Sequence, residues 1–355
     1  MKIGLIGLPN SGKTTIFNAL TRSEAEVTAY ANAKAEPNLA VVDVADERVD
    51  RLVGIYNPKK TVYATLELVD FVGLAEGAAK ADLFSSSALG QIRTMDALAH
   101  VVGNFPDDLG EEANPLEDIQ KMDEELVLSD LMIVENRLER IEHAYQRGQK
   151  TDALQREEKV LRSILDHLSE DQPIRTLSLD QDQERALRGF QFLTQKPFMI
   201  IINSEETCFG KNKDLFNEIK RMHKVEEFAG KFEMELARLS DDEANLFMED
   251  MGIEDSARDR LSRAVYDILG YISFFTVGDD EVRAWNIRKG QKAVEAAGTI
   301  HSDLARGFIR AECFSYDDLM SCGSEKGLRD NGLFRLEGKT YGVQDGDILC
   351  IRFNV

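Results

Sequence analysis

Eight residues near the start of the chain, Gly7-Leu8-Pro9-Asn10-Ser11-Gly12-Lys13-Thr14, carry the spacing G-x-x-x-x-G-K-[S/T]. A run of this kind is built to hold a polyphosphate. Its glycines let successive backbone N–H groups turn toward phosphate oxygens, the helix that follows adds the positive end of its dipole, and the lysine supplies a point charge. Lys13 is expected between the β- and γ-phosphates, the Thr14 hydroxyl on Mg²⁺ and Thr15 on an α-phosphate oxygen, with Asn10, Ser11 and Gly12 lining the loop. The plain alternative is a glycine-rich strand–helix turn that binds nothing. The complete motif, set after an apolar strand and before a helix starting near Lys13, argues against it.

Two further constellations fit the same chemistry. Asp70-Phe71-Val72-Gly73 follows an apolar strand and matches D-x-x-G: Asp70 is expected to contact Mg²⁺ through water, and the Gly73 N–H to sense the γ-phosphate. Leu74 comes next, where Ras-like GTPases carry a glutamine that orients the attacking water. Leucine cannot do this, so hydrolysis is slow or uses another group. Asn203-Ser204-Glu205-Glu206 has the spacing of the guanine-reading element N-K-x-D, with glutamate in the last place. The Asn203 amide both donates and accepts toward a purine edge. The longer Glu206 side chain displaces the carboxylate from the guanine N1–H and amino group. The plain alternative here is an acidic turn capping a strand end.

The elements that must position these residues are legible in the apolar pattern. Lys2–Gly7, Leu39–Val44, Ala64–Asp70, Ala97–Phe105 and Phe198–Asn203 are apolar runs of strand length alternating with helices, which implies a parallel sheet covered on both faces. Between about Asp118 and Gly189 the spacing turns helical. Ile119, Met122, Leu126, Leu131, Val134, Leu138, Ile141 and Tyr145 form one stripe; Gly148 breaks it; Leu154, Leu161, Ile164, Leu165 and Leu168 form a second. An antiparallel helical hairpin, its stripe packed on itself, is expected. Helices are expected over Asp241–Met251 and Ser256–Leu269. From Ser273 short strands at Phe274–Val277, Gly307–Cys313, Leu333–Leu336 and Ile348–Phe353 suggest a small α+β domain.

Composition narrows the class. The chain has 355 residues, 43% of them hydrophobic, enough for two or three folded domains. A formal net charge of −21 argues against a broad basic face for nucleic acid. No run of about 18 apolar residues suggests a membrane span, and the N-terminus reads as a strand rather than a signal peptide. The four cysteines are scattered without a C-x-x-C pair, so a reducing, cytoplasmic setting is expected rather than a disulfide framework or metal site.

Taken in order, these elements resemble the YchF / Obg-like ATPase family over nearly the whole chain. The resemblance is carried by Gly7–Thr15, Glu36-Pro37-Asn38, Asp70–Leu74, Asp96–Val102 (DALAHVV), Val282–Arg288 (VRAWNIR), Gly307–Glu312 (GFIRAE) and Gln344–Val355. It implies a P-loop G domain over 1–117 and 190–272, a helical-hairpin insertion over 118–189 and a C-terminal TGS domain of ubiquitin-like β-grasp form over 273–355. It also implies ATP preference, since Asn203 and Glu206 fill the family's N-x-x-E positions with the Ser204 backbone beside the base, and it places a catalytic histidine at His100 in compensation for Leu74. Asn10 matches an asparagine that in related G proteins helps bind a monovalent cation such as K⁺. The ribosome or a ribosomal subunit is the implied partner, with RNA contact through the TGS domain. Three positions depart from the family. Lys34 stands where a Mg²⁺-ligating threonine belongs, with Thr28 the nearest substitute; Ala229-Gly230-Lys231 replaces a Ser-Ala-Lys base loop; and Ser204-Glu205 places an extra carboxylate beside the base element. Two classes of function follow: a slow ATPase that switches a macromolecular partner, or a scaffold that holds nucleotide and barely hydrolyses it. Glu206 weakens a third, a GTPase.

Overall fold

A computed structural model describes residues 1–22, 37–71, 86–106, 110–250, 252–253 and 255–354. Strand β1 (Lys2–Ile6) leads into helix α1 (Lys13–Thr21), followed by β2 (Asn38–Val44), α2 (Glu47–Tyr56), β3 (Lys60–Val62), β4 (Ala64–Asp70), α3 (Ser86–Arg93) and β5 (Ala97–Asn104). The middle holds α4 (Pro115–Gln146), α5 (Asp152–Ser169) and the short α6 (Gln181–Leu187). Next come β6 (Phe198–Ser204), α7 (Lys213–Ile219), β7 (Lys224–Phe228), α8 (Gly230–Leu236), α9 (Asp241–Asp250) and α10 (Ala257–Leu269). The last segment contains β8 (Tyr271–Thr276), β9 (Glu281–Arg288), α11 (Ala293–Ile300), α12 (Ser302–Arg306), β10 (Phe308–Ser315), α13 (Tyr316–Cys322), α14 (Glu325–Asp330), β11 (Arg335–Glu337) and β12 (Asp347–Phe353).

The first six-stranded sheet runs β2-β4-β1-β5-β6-β7. β1 pairs in parallel with β4 and β5, and β5, β6 and β7 continue in parallel. Every residue of β6 is buried, as expected of a strand covered on both faces. The second six-stranded sheet runs β11-β10-β12-β8-β9-β3, with antiparallel β10·β11, β10·β12 and β8·β9 and parallel β12·β8 and β9·β3. By contacts the chain forms two compact units. One comprises Met1–Ala40 with Glu67–Ala257, the other Val41–Leu66 with Arg258–Val355.

In the first unit, Asn114 caps α4 by accepting from the Glu117 N–H at 3.4 Å, with Pro115 at the first helical position where its missing N–H costs nothing. Gly148 turns the chain at φ +78°, a conformation that favours glycine, and the Thr151 hydroxyl accepts the Leu154 N–H at 3.3 Å to start α5. The expectation that the whole α4 stripe packs within the hairpin is corrected. Ile119, Met122 and Leu126 join the core of the first sheet with Phe71, Ile92, Leu98 and Ile202. Val127, Val134 and Ile141 instead meet Leu161, Ile164 and Leu168 of α5. A 32-residue helix is longer than its partner of 18, so its first turns must bury their apolar face elsewhere.

Candidate phosphate and base site

The turn between β1 and α1 is shaped by its glycines. Asn10 and Gly12 are left-handed at φ +63° and +81°. A Cβ on Gly7 would overlap the Val101 carbonyl oxygen, and one on Gly12 would overlap the Asn203 side-chain amide. Gly12 precedes α1 without a side-chain cap, so the helix opens on N–H groups that no side chain covers. These groups and the dipole behind them suit an anion. Lys13 is buried, and its Nζ donates to the Gly7 carbonyl at 3.0 Å and the Leu8 carbonyl at 3.2 Å. Burial lowers its pKa to about 8, with nearby Asp70 pulling in the opposite direction. Thr15 is half-buried on the first turn of α1, Asn10 is exposed, and the buried Ser11 Oγ has no hydrogen-bond partner.

Asp70, at the end of β4, is 2% exposed. Its Oδ2 accepts from the Thr14 hydroxyl at 2.9 Å and from Asn38 Nδ2 at 3.1 Å, while Oδ1 is buried and has no partner. Burial raises the pKa of this carboxyl, opposed by the hydrogen bonds from Asn38 and Thr14 and by the charge of Lys13. A buried carboxylate with one free oxygen beside a threonine hydroxyl is a donor set suited to a hard oxygen-seeking cation such as Mg²⁺. Mg²⁺ held by two side chains would draw its remaining ligands from phosphate and water. Gly73, Leu74, Lys34 and Thr28 lie outside the described residues.

On the base side, the Asn203 side chain is engaged at both ends. Nδ2 donates to the Ser11 carbonyl at 3.1 Å, and Oδ1 accepts the Gly230 N–H at 3.1 Å. The amide thus ties the phosphate loop to the start of α8. Gly230 is required by this close approach: a Cβ would stand 2.5 Å from Asn203 Oδ1 and 2.8 Å from Ile16 Cδ1. The Ser204 hydroxyl donates to Glu227 Oε1 at 2.6 Å. Glu206 is exposed in the turn after β6. Two residues near the site, Asn38 and Phe105, were given no role in it by the sequence, and Gly230 was expected only as part of the base loop. Asn38 holds Asp70, Gly230 receives Asn203, and the Phe105 ring lies 3.9 Å from where a Gly12 Cβ would be. The Glu36-Pro37-Asn38 motif was the available signal for the first. The base-loop match of Ala229-Gly230-Lys231 was the signal for Gly230, and a strand-end position the only hint for Phe105.

His100 lies on a buried strand. It lies in the middle of β5, paired with Ile6 on one side and Ile200 on the other. It is 0% exposed, and neither ring nitrogen has a hydrogen-bond partner. Burial lowers its pKa to about 3; Asp123 raises it, and Lys13 and His223 add to the lowering. Burial in the sheet thus favours the neutral imidazole.

Residues 2–137 match a family described as 50S ribosome-binding GTPase, and residues 271–354 match the C-terminal YchF GTPase family, described as a protein of unknown function (DUF933). The chain is 37% identical over 367 residues to the ribosome-binding ATPase YchF of Bacillus subtilis (strain 168), with 99% of each covered. It is 41% identical over 362 residues to the protein of the same name from Pasteurella multocida (strain Pm70), covering 100% of the chain and 99% of the relative. It superposes on the structure of the Schizosaccharomyces pombe YchF GTPase with a TM-score of 0.85 at 30% identity, covering 99% of this chain and 97% of that one.

Proposed function

The chain belongs to the YchF family, and from that premise we propose that it binds ATP with Mg²⁺, hydrolyses it slowly and lets its nucleotide state govern an association with ribosomes. The observation that carries the nucleotide reading is Asp70, whose one oxygen is held by Thr14 and Asn38 while the other is buried and free. Thr14 and Asp70 would hold Mg²⁺, which supplies charge neutralisation on the phosphates when bound. The backbone from Asn10 to Thr15 would cradle the phosphates, with Gly73 meeting the terminal one. Lys13, now on two carbonyls, gains in a polyphosphate the anionic partner its burial lacks. Asn203 holds the two loops that flank the base, and Ser204 and Glu206 border it. Asn10 is the candidate contact for K⁺.

The names of the relatives support ATP and the ribosome as ligand and partner, although the S. pombe relative is named a GTPase; the setting we propose is cytoplasmic. Among the described residues no helix is long and apolar enough to cross a membrane. We assign 1–117 and 190–272 to the nucleotide domain, 118–189 to the hairpin and 273–355 to a TGS domain that offers the RNA contact. The burial of His100, with Leu74 in the water-orienting position, favours a second reading in which the protein holds nucleotide and waits for a partner to supply the missing catalytic group. Multiple-turnover phosphate release with Mg²⁺ and K⁺, with and without ribosomes, tests both. Slow basal release is expected from the first reading; release only with ribosomes favours the second, and none under either condition rejects hydrolysis.

A further inference from the structure

One carboxylate moors the loop that follows Asn203 at both of its ends. Glu227, near the end of β7, accepts the Ser204 hydroxyl on Oε1 at 2.6 Å, Asn212 Nδ2 on the same oxygen at 2.9 Å, and the Gly210 N–H on Oε2 at 3.0 Å. Ser204 starts the loop; Gly210 and Asn212 end it. From β5, Asn104 Nδ2 donates to Ser204 Oγ at 3.1 Å, so three parallel strands contribute to the cluster at their carboxyl ends. The loop carries its own bonds: Asn212 Nδ2 to the Cys208 carbonyl at 3.1 Å, Lys211 Nζ to the Thr207 carbonyl at 2.7 Å, and the Cys208 and Phe209 N–H groups to the Glu205 carbonyl at 3.0 Å each. The residue immediately before it, Asn203, is fixed to Ser11 and Gly230. Glu227 therefore sets where this loop stands relative to the phosphate loop.

In open parallel sheets ligands bind beyond the carboxyl ends of the strands, and a polyphosphate held by Gly7–Thr14 must direct its base toward the ends of β5 and β6. We infer that Glu227, through Ser204, Gly210 and Asn212, is a positioning residue for purine recognition, holding the 205–210 turn as one wall of the base site. The inference rests on the nucleotide reading given above. Charge-assisted bonds to backbone and hydroxyl groups are stronger than neutral ones, which suits a carboxylate to this work.

The test is calorimetry of ATP, GTP and inorganic tripolyphosphate, each with Mg²⁺, on the full chain and on Glu227→Ala, Glu227→Gln and Ser204→Ala. Circular dichroism confirms that each variant folds. Glu227→Ala is expected to weaken ATP at least tenfold and to change the ATP-to-GTP ratio, while tripolyphosphate affinity moves less than twofold. In turnover assays its KM should rise with kcat little changed. Glu227→Gln keeps one acceptor oxygen but sets an NH2 donor where the other oxygen accepted, and should recover only part of the loss. Ser204→Ala removes a single bond and should shift the same quantities in the same direction by a few-fold. Unchanged base dependence in folded Glu227→Ala and Ser204→Ala overturns the inference, as does an equal loss for ATP and tripolyphosphate, which marks general loosening. A wild type that binds ATP and tripolyphosphate equally well overturns the inference but leaves the phosphate grip standing. One that binds none of the three ligands overturns the nucleotide reading and this inference with it.

Discussion

At the scale of single residues, two buried bases point in opposite functional directions. Lys13 is costly to hold in an unliganded protein: its pKa falls from an ordinary 10.5 to about 8 through burial. Between roughly pH 8 and 10.5 the unfolded chain keeps a proton that the folded one has released, so folding stability from this group rises with pH across that window. The shift corresponds to about 3 kcal/mol in all. Lys13→Met should therefore be more stable than wild type near neutral pH, with the difference shrinking as pH rises through the window; parallel urea melts of the two proteins measure it. His100 is also buried, but with both ring nitrogens unpaired. His100→Leu keeps similar bulk and removes the unpaired polar atoms, so stability should hold or rise by about 1–2 kcal/mol with turnover unchanged. A hundredfold loss of turnover at intact ATP affinity would return His100 to the chemistry.

At the scale of elements, the sequence was most readable where one period dominates. β1, β4, β5 and β6 are continuous apolar runs, and the turn after β1 announces itself by two glycines and a lysine at fixed spacing. The buried polar junctions were not readable, because their partners are distant in the chain. Asp130 of α4 is the clearest case. It is fully buried and accepts Arg93 Nη1 at 2.9 Å, the Leu193 N–H at 3.0 Å, the Thr194 N–H at 2.7 Å and the Thr194 hydroxyl at 2.8 Å. Arg93, the last residue of α3, also donates to Ser129 Oγ at 2.8 Å. On a helical wheel Asp130 falls on the apolar face, four residues from Leu126 and from Val134, but nothing in the spacing names its partners. Asp130→Ala would leave a nearly buried guanidinium without its counter-charge and two backbone donors unpaired, at a cost of about 3–5 kcal/mol. Chemical denaturation should show that loss; a change below about 1 kcal/mol would mean the junction relaxes freely.

At the scale of the whole molecule, the second sheet shows how far pattern reading reaches. Its strands β8, β10, β11 and β12 follow the short runs expected from the last segment. β9 was not read as a strand because its apolar residues are interrupted by Arg283 and Asn286; in the sheet, between β8 and β3, the half-buried Arg283 guanidinium lies over the Trp285 ring at 4.1 Å, while Val282, Ala284 and Ile287 are buried. β3 escaped because three residues, two of them polar and exposed, carry no periodic signal, and their partner β9 comes from the other end of the chain. The same unit takes Arg48 of α2 into bonds with Asp345 at 2.8 Å and over the Phe275 ring at 5.0 Å. Local spacing cannot foresee such long-range closure.

The central claim is that the Gly7–Thr14 turn grips a nucleoside triphosphate whose base is adenine. Its most direct test is calorimetric titration of the wild type with ATP and with GTP, each with Mg²⁺, alongside Lys13→Ala. ATP should bind at least as tightly as GTP, and Lys13→Ala, which loses charge-assisted contacts of roughly 1.5–3 kcal/mol each, should weaken ATP about ten- to a hundredfold. Strong selectivity for GTP, or ATP affinity unchanged in a folded Lys13→Ala, would contradict it.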